Sequence, residues 1–73
     1  MTRVVSTRTA RQTGLVVQVL DNRDGSFDEG AQDWITFCYE HGSYCEHETR
    51  RLAESWAADP KMWCEECRGG DVE

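Results

Sequence analysis

The 73-residue chain has no stretch of about 18 apolar residues, so it offers no membrane span. Its first residues lack the continuous apolar segment that a secretory signal requires. Both absences lead to the expectation of a cytoplasmic protein, in a compartment that keeps thiols reduced. Large apolar residues are sparse apart from Trp34, Trp56 and Trp63. A domain of roughly 60 residues is only marginally stable on burial alone, and small scaffolds usually need a metal or disulfide staple. The chain has a single proline and two histidines, and no His-Glu-x-x-His pair occurs. That leaves too little imidazole for a site that needs His both as metal ligand and as general base, and no enzyme activity is expected. No internal repeat is visible.

Basic residues are also scarce, eight against 14 acids, and they are unevenly placed. Arg3, Arg8 and Arg11 lie in residues 1–13, which contain no acid. Residues 14–73 hold every acid against five bases, a balance of −9. An acidic body disfavours phosphate binding, because that affinity comes mainly from Lys and Arg. It favours solubility and, where a partner exists, a basic one. The arginine-bearing segment keeps open a second reading, in which Arg3, Arg8 and Arg11 make weak, salt-sensitive nucleic-acid contacts.

What the sequence does have is four cysteines, and three of them pair with histidine or with each other at one spacing. Cys38-x2-His41 is followed, 22 residues later, by Cys64-x2-Cys67. A two-residue gap lets a tight turn bring both ligands onto one ion, and two such pairs complete the tetrahedron that structural zinc prefers. Three thiolates and one imidazole would close the site, whereas catalytic zinc usually keeps a position open. The expected cofactor is one Zn2+ held by Cys38, His41, Cys64 and Cys67. Cys45 and His47 stand as alternative ligands, and His47 also as a hydrogen-bond donor to a ligating thiolate. A four-cysteine set of Cys38, Cys45, Cys64 and Cys67 would suit zinc or an iron–sulfur cluster. Against these stand a buried-thiol reading for Cys45 and a packing or surface role for His47.

Local patterns place the pairs. Leu15 to Leu20 is a short β-branched run after Gly14 and reads as a strand. Asp21 to Gly30 reads as a turn region around Asp24-Gly25-Ser26. Trp34 to Tyr39 reads as a second strand, so the two are expected to form an antiparallel hairpin with a long loop. Ser43-Tyr44-Cys45-Glu46 fits a capping box. Cys45, Thr49, Leu52, Ala53, Trp56 and Ala57 then share a helical face, and Pro60 ends the helix near Ala58. Trp56 should meet the hairpin and Trp63 should shield the metal. The expected architecture is a small α+β zinc-stabilised domain: a β-hairpin, one helix and two zinc knuckles. Residues 1–13 form a flexible basic tail in which Val4 and Val5 can add a short strand. Residues 14–68 are the zinc-binding domain, and 69–73 a frayed C-terminus.

The run Trp34-Ile35-Thr36-Phe37-Cys38-Tyr39-Glu40-His41-Gly42, followed by His47, Ala53, Ala57, Pro60 and Trp63-Cys64-x2-Cys67, resembles small zinc-binding proteins of actinobacterial phages, including those of mycobacteriophages. The resemblance covers residues 34–68, about half the chain. It implies ligand roles for Cys38, His41, Cys64 and Cys67, and a structural role for His47, and it assigns none to Cys45. It carries no activity to transfer. It implies a bacterial host cell as the setting. The closed site and the −9 body lead to the expectation of a non-enzymatic interaction module with a host or phage protein as partner.

Overall fold

In a computed structural model, residues 2–11 and 13–69 are described, the side chains of 68 and 69 excepted. Four strands, β1 (Arg3–Thr9), β2 (Val16–Asp21), β3 (Trp34–Cys38) and β4 (Tyr44–His47), form one antiparallel sheet in the order β1-β2-β3-β4. Helix α1 (Arg50–Ala57) follows, then a 3-10 turn (Pro60–Met62) and a short helix α2 (Glu65–Gly69). The architecture is α+β, as the sequence implies, with a larger sheet than the expected hairpin.

The sheet gains a strand at each edge. The stretch expected as a loose basic tail supplies β1, which pairs with β2 from Arg3↔Asp21 to Thr9↔Val16 around a bulge between Val4 and Ser6. Val5 turns inward and packs against the cluster of Ala10, Val17, Val19, Ala53 and Ala57. Burial of one valine and a ladder of backbone hydrogen bonds outweigh the polar character that suggested disorder. Residues 70–73 of the expected frayed C-terminus lie outside the described residues.

The second addition overturns the capping-box reading. Tyr44 to Glu46 is strand, not helix start: Thr36 pairs with Cys45 and Phe37 with Tyr44. The residues alternate, with Cys45 and His47 toward the helix and Tyr44 and Glu46 away from it, a period of two that the capping motif masked. The helix begins later, where Thr49 is the N-cap and its hydroxyl accepts from Leu52 N–H at 3.2 Å. Cys45 therefore lies on a strand rather than on the helical face, and Leu52 is exposed. The C-terminal boundary agrees with Pro60: α1 ends at Ala57, capped by Ala58. Replacing a Thr cap with Ala costs about 1 kcal/mol. We expect Thr49→Ala to lower stability by that amount, read from a denaturant midpoint shift at constant m-value.

One face of the sheet receives α1. Ala53 and Ala57 are fully buried against Ala10, Val17 and Val19, with Val5, Trp34 and Trp63 completing the cluster. The alanines let helix and sheet approach closely enough for the buried Thr36 hydroxyl to donate to Ala53 O at 3.2 Å. Trp63 Nε1–H donates to Trp56 O at 2.8 Å, alongside the Asp59 N–H that the same carbonyl accepts at 3.0 Å at the end of α1.

Candidate metal centre

The four paired residues converge at one end of the sheet. Cys38 closes β3, and the chain reverses through His41 and Gly42 into β4. Gly42 N–H donates to Cys38 O at 2.8 Å and Cys38 N–H to Ser43 O at 2.7 Å. Gly42 has φ +75°, a conformation that L side chains rarely adopt, so glycine here allows the reversal. On the other side, Pro60 O accepts from Cys64 N–H at 2.7 Å, and α2 then carries Cys67 back toward Cys64. Each two-residue gap also aims an amide at sulfur, His41 N–H at Cys38 and Cys67 N–H at Cys64.

His41 Nδ1 lies 3.4 Å from the Sγ of each of Cys38, Cys64 and Cys67. Cys38 Sγ and Cys67 Sγ are 3.7 Å apart, and all four donor atoms lie within 4.8 Å of one another. A neutral imidazole nitrogen has one acceptor lone pair, so three thiols cannot all hydrogen-bond to it. A shared ion accounts for the distances better. A zinc tetrahedron with Zn–S of about 2.3 Å and Zn–N of about 2.0–2.1 Å has S···S edges of about 3.8 Å and S···N edges of about 3.5 Å. The donors fit one small metal ion. The three cysteines are buried and packed against Leu15 and Trp63, as expected for Trp63, while His41 is half-buried.

The thiols do not share one proton affinity. Burial opposes ionisation of Cys64, but hydrogen bonds from Ser43, the Cys67 amide, the Cys67 thiol and His41 outweigh it and bring the group down to about 6. Cys67 is pushed up to about 12, first by burial and then by its interactions with Cys64 and Cys38. Burial also raises Cys38. The Ser43 hydroxyl beside Cys64 lies 3.5 Å from Glu66 Oε1, to which it donates.

The two alternative ligands lie outside this cluster, since the group of four is the one metal-competent set found among the described residues. Cys45 sits on β4, half-buried beside Thr36, and its thiol is raised, chiefly by burial. The four-cysteine set does not assemble. His47 is 5% exposed, pairs across the strands with Trp34, and lies 5.1 Å from the Trp56 ring, so Trp56 does meet the sheet. Its Nε2 is buried with no hydrogen-bond partner among the described residues. Its ring packs against Trp56, and among the described residues it makes no hydrogen bond to a thiolate.

Burial lowers the pKa of His47 from 6.5, so the folded chain takes up this proton at lower pH than the unfolded chain. Its contribution to stability is complete above about pH 6.5 and is lost as pH falls below that value toward the folded-state pKa. We expect His47→Phe to lose less stability between pH 7.5 and 5.5 than the parent does, both metal-loaded. Equal losses in paired urea titrations would rule this out.

Arg3 lies 3.3 Å from Asp21, and Arg8 lies 3.2 Å from Glu54. Two of the three candidate nucleic-acid contacts are thus already engaged by carboxylates, and Arg11 is exposed in the β1–β2 turn. Sequence reading missed Asn22, a buried side chain at the far end of the sheet. Its only local signal is its place before Asp24-Gly25.

No protein-family model, curated protein or solved structure matches the chain. No helix among the described residues is long and apolar enough to cross a membrane. The Cys38, His41, Cys64 and Cys67 cluster is a candidate site for a single metal ion in a small α+β domain.

Proposed function

We propose that this chain is a structural-zinc protein acting as a non-enzymatic interaction module, with an acidic body that docks a basic host or phage protein. The observation that carries the metal assignment is one imidazole nitrogen equidistant, at 3.4 Å, from three thiols. Three soft thiolates with one imidazole favour zinc, and Cys45 is not at hand to complete an iron–sulfur set. Four protein donors leave no open corner for substrate or water, which supports a structural rather than a catalytic ion. The −9 balance over residues 14–73 supports a basic partner through electrostatic steering. The motif resemblance to actinobacterial phage proteins supports a bacterial cytoplasm as the setting. The ion pairs of Arg3 and Arg8 weigh against the nucleic-acid reading, since they reduce the cations left for phosphate.

Elemental analysis of protein purified without added metal should return one zinc per chain. Sub-stoichiometric zinc, or iron in its place, would overturn the metal assignment. A pulldown from host lysate at low salt should retain basic proteins, and an empty eluate would count against the interaction role. A DNA probe that is shifted by the protein but not by a variant lacking residues 1–13 would favour the nucleic-acid reading instead.

A further inference from the structure

On the side of the sheet that carries α1 the cations are paired with acids, Arg3 and Arg23 with Asp21 and Arg8 and Arg50 with Glu54. Strand alternation and register put Arg3 and Arg8 on the side that carries α1, where Arg50, Arg51 and Lys61 also lie. Arg23 stacks over Trp34 on that same side, 4.9 Å from the ring centroid. The opposite face carries Val4, Thr7 and Thr9 from β1, Val16, Gln18 and Leu20 from β2, Ile35 and Phe37 from β3, and Tyr44 and Glu46 from β4, with Leu20 and Ile35 buried. Its strand residues include no Lys or Arg.

The loop between β2 and β3 covers part of this face. Phe27 packs edge-on against Phe37, with centroids 6.3 Å apart, and against Tyr44 at 5.1 Å. The aromatic group remains accessible, with Phe27 and Phe37 half-buried and Tyr44 45% exposed. Glu46 projects from the same face, and Asp28 and Glu29 follow Phe27 in the loop, all three exposed.

From this arrangement we infer that the helix-free face, centred on Phe27, Phe37 and Tyr44 and rimmed by Glu46, Asp28 and Glu29, is the docking surface for an arginine-bearing segment of another protein. The inference rests on the interaction-module reading and names its surface. Arginine fits both halves of the patch. Its planar guanidinium stacks on aromatic rings and forks onto carboxylates, whereas the ammonium of lysine is a compact, strongly hydrated charge. A charge-only surface would not distinguish the two.

The test titrates isotope-labelled, zinc-loaded protein with a nona-arginine peptide and, separately, with nona-lysine. Amide shifts should concentrate at Phe27, Phe37, Tyr44 and Glu46, and the arginine peptide should bind more tightly. Tyr44→Ser, at an exposed position, should weaken nona-arginine about 2- to 5-fold while leaving nona-lysine nearly unchanged. Glu46→Gln, which keeps an acceptor for Gln32 N–H, should weaken both. Shifts confined to α1 or the knuckles, or equal affinity for the two peptides, would overturn the choice of face and leave the module reading standing. Absence of binding by either peptide at low salt would overturn both. Sedimentation showing a dimer that Tyr44→Ser dissociates would assign the face to a second copy of the chain and overturn the inference.

Discussion

Removing the metal should unfold this protein. Near-ultraviolet circular dichroism and amide dispersion should collapse once a chelator has stripped the ion, and should return when zinc is restored. The magnitudes favour this outcome. Among the described residues, the largest fully buried branched aliphatic side chains are Ile35, Val17 and Val19, each contributing about 1.5–3 kcal/mol. Zinc binding in structural peptide sites is worth about 10–16 kcal/mol at neutral pH. An ion held by the four donors would also join the β3–β4 turn to α2. A chelated sample that is verified metal-free and still keeps its tertiary signals would refute this.

Single substitutions should reproduce the effect selectively. Cys38→Ala, His41→Ala, Cys64→Ala and Cys67→Ala should each lose bound zinc and most of the folded population, while Cys45→Ala keeps one ion per chain. Acidification should act in the same direction, because protons compete with the ion for three thiolates. The readout is metal content after gel filtration alongside a thermal melt. Loss of zinc in the Cys45→Ala variant would mean that a different ligand set operates.

The metal pairs were legible in the sequence because two-residue gaps encode a local turn, and local geometry is what spacing reports. The end of α1 was legible for the same reason, through Pro60. The beginning of α1 was not. Ser43 and Glu46 satisfy a local helix-start pattern, but pairing of Tyr44 and Cys45 with Phe37 and Thr36 buries His47 against Trp56, and that gain depends on residues distant in sequence. β1 was hidden similarly, since its polar residues look like a tail until β2 offers a ladder and the cluster around Val17 and Val19 receives Val5. Tertiary contacts decided both cases over local propensity. Asn22 is the furthest from legibility, because its role lies in a loop whose shape no periodicity describes.

Asn22→Ala should be the most damaging substitution away from the metal. The Asn22 side-chain amide donates to Asp28 O and Gln32 O, each at 2.9 Å, and its carbonyl accepts from Phe27 N–H at 2.9 Å and Asp28 N–H at 3.0 Å. One buried carboxamide thus pins a loop from both ends and seats Phe27 on Phe37 and Tyr44. Truncation leaves three backbone groups without a partner, Gln32 O and the Phe27 and Asp28 N–H groups, while Asp28 O keeps the Ala31 N–H at 3.0 Å; each lost bond is worth about 0.5–1.5 kcal/mol net, less where water reaches in. We expect a loss of about 2–4 kcal/mol, which lowers the melting temperature of a domain this size by upwards of about 10 °C. Zinc content should stay at one per chain, since the loop and the metal occupy opposite ends of the sheet. The Asn22→Asp variant separates donor from acceptor: it can still accept from Phe27 and Asp28 but turns a carboxylate toward two carbonyl oxygens. That group would be easier to protonate in the folded chain than in the unfolded one, so its deficit should shrink as pH falls. A melting temperature for Asn22→Ala within about 3 °C of the parent, zinc bound in both, would show that the loop is held some other way.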